Sequence, residues 1–317
     1  IATVSRVLNN SDNVSESRRK QVLNAIATLN YVPNTIAKEL KEKNSTTIGL
    51  FLPDIQNTFT PTIVDSFITT LSNHNYNVMT CITGFNEQRE HNLLSALVSR
   101  HVGGIAFLGP RLLHSINNPV IIQLANKFPI IIMDYFDHPQ ISHVMSDEEE
   151  GAYIAVKHLL SLGHRRIALL NGDLQYGTYY HEHQGFLRAF KEFHLTPDPT
   201  LMKTVQTDHL GGYQAASELL QYCHRPTAIF TAGDQIAMGV YRAAHENNIS
   251  IPSQLSVIGF GGSSISLGLY PALSTVSQFP SDIGEEAAML MMEMITGSLM
   301  HPKNIILPPR LMDRSSC

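Results

Sequence analysis

Cysteine is scarce in this chain. Cys81, Cys223 and Cys317 are odd in number and widely separated, so they offer neither a disulfide framework nor a metal knuckle. A reducing cytoplasm is the expected compartment. No apolar run approaches the ~18 to 20 residues that a membrane span needs, which excludes an integral membrane protein. The opening residues, IATVSRVLNN, carry no basic-then-apolar export signal. Charge is also sparse, 15% of residues against 43% hydrophobic, which is a globular composition rather than that of a disordered tail. At 317 residues the chain exceeds one ordinary core, and two or three folding units are expected.

The net charge of −5 hides an asymmetry. Residues 1–47 hold seven bases (Arg6, Arg18, Arg19, Lys20, Lys38, Lys41 and Lys43) against four acids (Asp12, Glu16, Glu39 and Glu42). The remaining 270 residues hold 15 bases and 23 acids. A basic head on an acidic body can still bind a polyanion, because the local field decides the contact.

From about Thr47 onward, short apolar runs at 48–52, 78–82, 104–108, 130–133, 167–170, 227–230 and 255–260 alternate with amphipathic stretches at 62–72, 90–99, 152–162, 184–193, 212–222 and 235–247. Strands of four to six residues separated by such helices predict βαβ units on parallel sheets. A weak internal repeat sharpens this. TTIGLFLPD (46–54) parallels RRIALLNGD (165–173), and GGIAFLGP (103–110) parallels TAIFTAGD (227–234). Two α/β halves, about 48–147 and 148–277, are expected to enclose a cleft at the carboxyl ends of their strands.

The head follows different rules. Residues 3–8 read as a short helix, followed by a polar turn. Ser15 is a plausible N-cap for a second helix running to about Leu29, with Val22, Leu23, Ile26 and Leu29 on one face. Asn30 ends it, and Pro33 blocks any continuation. Residues 35–43 could form a last small helix, but Ile36, Ala37 and Leu40 make too narrow an apolar stripe to hold it alone, so it should fold conditionally.

Several chemistries can be set aside. His181 and His183 flank Glu182 in a metal-like string, but side chains two residues apart diverge on a helix, and a structural or ligand-contact role is favoured over zinc. The string Gly259-Phe260-Gly261-Gly262 is not a dinucleotide-binding fingerprint. Asp147-Glu148-Glu149-Glu150 precedes an amphipathic helix, where acids suit the helix dipole. No Ser/His/Asp or Cys/His order matches a hydrolase, so no enzyme activity and no cofactor are expected.

An ordered set of motifs carries the functional reading. Ala2-Thr3-Val4-Ser5-Arg6-Val7-Leu8-Asn9, Val14-Ser15, Leu29-Asn30-Tyr31-Val32-Pro33-Asn34 and Ala37-Lys38-Glu39-Leu40 resemble the head of the LacI/GalR repressor family. The resemblance continues in the body at Leu162-Gly163-His164-Arg165-Arg166-Ile167-Ala168, Asp234-Gln235-Ile236-Ala237-Met238-Gly239, Leu255-Ser256-Val257-Ile258-Gly259-Phe260 and Pro271-Ala272-Leu273-Ser274-Thr275-Val276. It implies an α/β body of the type I periplasmic-binding-protein kind, with two doubly wound parallel-sheet subdomains. A partial all-α helix-turn-helix headpiece and a hinge helix would precede it, the chain beginning inside the recognition helix. The implied divisions are 1–33 for the headpiece, 34–47 for the hinge, 48–147 plus about 278–303 for one subdomain, and 148–277 plus about 304–317 for the other.

By the same resemblance, Ile1, Ala2 and Arg6 face base edges, a guanidinium being able to donate twice to guanine. Thr3, Ser5, Asn9, Ser15 and Tyr31 touch phosphate or sugar. Ala37 and Leu40 lie on the hinge helix, where paired leucines of a homodimer wedge into the minor groove of a palindromic operator. The implied effector cleft takes Phe59, Asp134, Tyr135, Asp147, Tyr176, Thr178, Glu182, Phe230, Asp234 and Gly261. Aromatic faces there could stack on sugar rings while carboxylates accept hydroxyl hydrogen bonds. Plainer roles compete at two positions: Asp234 as a helix cap and Phe230 as core.

Two departures matter. The family commonly has Arg three residues before its Gly-Phe pair, where this chain has Glu182, and commonly Asp after the later Gly-Phe, where it has Gly261. The expected ligand is a small-molecule saccharide. Sucrose or another disaccharide is a candidate, and a partner protein is an alternative effector. A solute-binding receptor would use the same body but would leave Arg6 and Leu40 without purpose.

Overall fold

A computed structural model describes residues 2–8, 14–29, 45–299 and 301–317. The chain parts into two compact units, 1–45 and 46–317. In the first, α1 (Ala2–Leu8) and α2 (Glu16–Thr28) are helical, and Val7 is buried. Ser15 holds the N-cap position of α2 in an extended conformation, with no side-chain hydrogen bond to the helix. Of the expected apolar face, Val22 and Ile26 are half-buried while Leu23 and Leu29 stay exposed. The expected hinge helix at 35–43 lies outside the described residues, as do Ile1, Asn9, Tyr31, Ala37 and Leu40.

The second unit contains two six-stranded sheets. Its first half supplies β1 (Thr47–Leu52), α3 (Phe59–Asn73), β2 (Asn77–Ile82), α4 (Glu87–Ser99), β3 (Gly104–Leu108), α5 (Asn118–Ala125), β4 (Ile130–Met133) and β5 (Ser142–Ser146). Its second half supplies α6 (Glu148–Ser161), β6 (Ile167–Asn171), α7 (Gly177–Glu192), β7 (Met202–Thr204), α8 (His209–Leu219), β8 (Ala228–Thr231), α9 (Asp234–Glu246), β9 (Ser256–Gly261), α10 (Ile265–Gly268) and β10 (Ser274–Ser277). The chain closes with α11 (Pro280–Thr296), β11 (Asn304–Leu307) and β12 (Arg310–Met312). The strand orders are β11-β5-β4-β3-β1-β2 and β12-β10-β9-β8-β6-β7.

Every strand pair is parallel except β10–β12, which runs antiparallel. The tail expected to stay whole with the second half divides instead. β11 extends the first sheet beside β5, and β12 extends the second beside β10.

Both sheets are covered on both faces, which explains their near-continuous apolar strands. In β1, Ile48, Leu50 and Leu52 point to Ile63, Phe67 and Leu71 of α3 and to α11. Phe51 points the other way, into a cluster with Leu94 and Leu97 of α4. In β6, Ala168 and Leu170 meet α8 and α9, while Ile167 and Leu169 meet α6 and α7. Each fully buried side chain of this size contributes about 1.5 to 3 kcal/mol, so four such layers fix the two lobes firmly.

The chain passes between the lobes at β5–α6, β10–α11 and β11–β12. At the second passage Phe279 adopts a left-handed backbone with φ 53°. A bulky side chain there costs roughly 1 to 3 kcal/mol and holds only where the surrounding structure dictates it. Among the described residues no helix is long and apolar enough to cross a membrane.

Candidate functional site

The carboxyl ends of the two sheets face a common cleft of about 930 Å³, including its open mouth. Its lining comes from residues that directly follow strands: Gly109 and Pro110 after β3, Asp134 after β4, Ala232 and Gly233 after β8, and Gln278 after β10. Parallel α/β sheets place ligand sites at such ends because the connecting loops and helix amino termini converge there.

Six of the ten expected ligand positions line this cleft: Phe59, Asp134, Thr178, Glu182, Asp234 and Gly261. Phe59 opens α3, whose first turn is held by Asn57. The Asn57 Oδ1 accepts from the N–H of Phe59 at 3.0 Å and of Thr60 at 2.7 Å. The half-buried Phe59 ring lies over Gly261, where a Cβ would stand 3.4 Å from the ring. Gly261 has φ +111°, a backbone that an L side chain rarely adopts. It is this backbone, not the ring contact, that disfavours the Asp the family commonly carries there.

Asp134 and Asp234 are already engaged. The Asp134 carboxylate accepts from the N–H of Arg111 at 2.7 Å, the N–H of Tyr135 at 2.7 Å and the hydroxyl of Thr178 at 2.9 Å. Because Thr178 belongs to α7, this last bond ties one lobe to the other. Burial raises the Asp134 pKa, and these donors hold it down only in part. Asp234 accepts from the Ser263 N–H at 2.6 Å, the Ser263 hydroxyl at 2.8 Å and the Thr275 hydroxyl at 2.5 Å. Burial pushes its pKa up to about 6. It does not cap α9, because Gly233 occupies the N-cap position; it fastens the start of that helix to the ends of β9 and β10.

Four expected positions lie elsewhere. Phe230 is fully buried among Phe186, Phe190 and Phe260 and fills core, the plainer of its two roles. Asp147 caps α6, accepting from the Glu150 N–H at 2.9 Å. Tyr135 packs on His181 with ring centroids 4.3 Å apart. Tyr176 lines a second cavity of about 440 Å³, next to Arg111, whose guanidinium pairs with Glu90 at 3.1 Å. Backbone bonds from Gly177 N–H to Arg111 O, 3.0 Å, and from Leu113 N–H to Gln175 O, 2.9 Å, join the lobes beside it.

Glu148 was read above only as a dipole-complementing acid, yet it lines the cleft and is 5% exposed. The signal was available in the helix phase. Ala152, Ala155, Val156 and Leu159 form the buried stripe of α6, and Glu148 continues it one turn earlier. Glu149 and Glu150 face outward and pair with Arg188. Glu182 stands in the same relation to Phe186 and Ala189 of α7 and is 1% exposed. The two helices cross tightly at Gly185, where a Cβ would collide with the Glu149 carbonyl oxygen. Burial raises the pKa of both glutamates well above the ordinary carboxyl value; the nearby Asp134 adds to both, and Glu148 adds to Glu182. Tyr179, Thr207, Gln235 and Ser263 complete the polar lining. Among the described residues, no group of three or more His, Cys, Asp or Glu could hold a metal ion.

In the head, Thr3, Arg6 and Ser15 are exposed. Ala2 and Ser5 lie on the same short helix α1 as Thr3 and Arg6.

Residues 1–34 match the model for bacterial regulatory proteins of the lacI family, and residues 156–317 match that for a periplasmic binding protein-like domain. Catabolite control protein A of Priestia megaterium is 30% identical over 100% of the chain and 95% of its own length. The lac repressor dimer bound to operator and the anti-inducer ONPF superposes with a TM-score of 0.91 at 25% identity, over 99% of this chain and 94% of that one. The complex of the transcriptional regulator CelR with cellobiose gives a TM-score of 0.79 at 26% identity, over 100% and 95%.

Proposed function

The chain belongs to the lacI family of bacterial regulatory proteins and is a ligand-responsive repressor, and from that premise we propose that it acts as a cytoplasmic homodimer on a palindromic operator, with a saccharide effector between its lobes. The observation that carries this reading is the cleft. It opens where both sheets end, it is lined by hydroxyls, carboxyls and one aromatic face, and its lobes are joined by side-chain and backbone bonds that a bound ligand can rearrange. Phe59 offers a face for a sugar ring, and the polar lining offers partners for its hydroxyls.

Arg6 reads base edges, while Thr3, Ser5 and Ser15 set the position of the head on phosphate. Ile1, Ala2, Asn9, Tyr31, Ala37 and Leu40 complete the reader. Two heads are required because a single one covers too little of an operator, and twofold symmetry in the protein calls for twofold symmetry in the DNA. Effector in the cleft changes operator affinity by a coupling of about 1 to 3 kcal/mol.

The test is a gel-shift titration of the protein against palindromic duplexes at two salt concentrations. Sequence-specific, salt-sensitive binding is expected, weakened roughly 10- to 100-fold by Arg6→Ala. A mono- and disaccharide series, sucrose included, should shift the midpoint. Binding that ignores base order, or a midpoint that no ligand moves, overturns the reading.

A further inference from the structure

Two of the acids in the cleft differ from the rest. Glu148 Oε2 and Glu182 Oε2 are fully buried and have no hydrogen-bond partner among the described residues. Both side chains project from the buried stripes of packed helices into the same cleft, and no Lys, Arg or His belongs to its lining. A buried acceptor without a partner is costly and calls for a counterpart. The acids around the pair make that counterpart cationic. Asp134 follows β4, Asp147 caps α6, Tyr179 lies on α7 and Asp234 opens α9. The nearest bases act elsewhere: Arg111 on Asp134, with its guanidinium engaged by Glu90, and Arg314 on Asp234.

A neutral sugar hydroxyl could satisfy one oxygen but would not compensate a charge on either carboxyl. An ammonium group donates three hydrogen bonds and compensates such a charge as well. A metal ion fits less well, since the described carboxyls do not converge as a ligand set.

We propose that the effector carries a primary ammonium group seated between Glu148 and Glu182, making it an amino sugar rather than a neutral or phosphorylated one. The inference rests on the reading of the cleft as the effector site. Because burial favours the protonated carboxyls, acid works against the ammonium: a carboxyl that still holds its proton must release it to the buffer when the ammonium binds.

The experiment pairs D-glucosamine with D-glucose and D-galactosamine with D-galactose, in thermal-shift and calorimetric titrations of the full chain. At least one amine should bind 10-fold or more tightly than its neutral parent. Its binding should release protons, seen as a heat that depends on the ionisation enthalpy of the buffer. Glu182→Gln and Glu148→Gln keep the side-chain shape, and each should weaken the amine at least 10-fold and by more than it weakens the neutral parent. Neutral parents that bind as well as the amines, an absence of amine binding, or amine binding indifferent to both substitutions would each overturn the proposal. If operator binding responds to a neutral sugar and to no amine, this inference falls and the regulator reading stands. If the protein ignores operator sequence while an amine still stabilises it, the reverse holds.

Discussion

Where the first sheet meets the cleft, the wall is largely apolar: Phe59, Ile63, Leu108, Pro110, Met133 and Met145, with Asp134 as its one acid. Where the second sheet and its helices meet it, the wall carries Glu148, Glu182 and Asp234 among hydroxyls. The two lobes repeat one architecture but divide the work. An apolar wall gains from burying any ring face, whereas buried carboxyls demand a particular partner, so selectivity resides in the second lobe. The acids of that lobe divide again. Asp234 is saturated with donors and serves the structure, while the glutamate pair keeps free acceptors.

Three measurements can break or sharpen this contrast. The largest effect is expected from Asp234→Ala, which strands the Ser263 N–H and the hydroxyls of Ser263 and Thr275. A loss of about 3 kcal/mol in urea-unfolding stability should follow. A loss near zero would show that Asp234 is as free as the glutamates.

The second concerns pH. The Glu148 and Glu182 carboxyls titrate above their ordinary value of 4.5 in the folded protein, so the folded state holds protons that the unfolded state has released. Their contribution is complete below about pH 4.5 and is lost as pH rises through the elevated folded values. Urea midpoints should therefore fall as pH rises above about 4.5, and the Glu148→Gln, Glu182→Gln double variant should flatten the profile. The remaining slope is shared by Asp234, raised from 3.8 to about 6, and Asp134, which burial also raises. The smallest effect is expected from Phe59→Ala on the opposite wall, about 1 kcal/mol with the pH profile unchanged. A changed profile would mean that the walls are coupled.

The strands at 104–108 and 130–133 were legible to the residue, because fully buried parallel strands read as unbroken apolar runs. The strand Ser274–Ser277 was not, although Ser274 and Thr275 are fully buried. Its polar side chains are satisfied by distant groups: the Ser274 hydroxyl accepts from the Arg314 N–H at 2.9 Å and the Thr275 hydroxyl donates to Asp234. Nothing local announces such burial. Phe59, Asp134, Thr178, Glu182, Asp234 and Gly261 were placed at the cleft by motif position. Tyr135, Asp147 and Tyr176 were near it in sequence but turned elsewhere, since adjacent residues on a turn or a helix end point in different directions.

The order of motifs and the alternation of strand and helix determined the family, the two-lobed body and the strand ends at which a ligand site must lie, because those follow from local periodicity and topology. Helix phase was also written in the sequence, and it turns Glu148 inward and Glu149 outward. What tertiary structure alone decided was which acids are satisfied. Whether a carboxylate finds donors depends on residues tens of positions away, as Thr178 is from Asp134 and Ser263 from Asp234. Only the packed lobes show that Oε2 of Glu148 and of Glu182 finds none among the described residues.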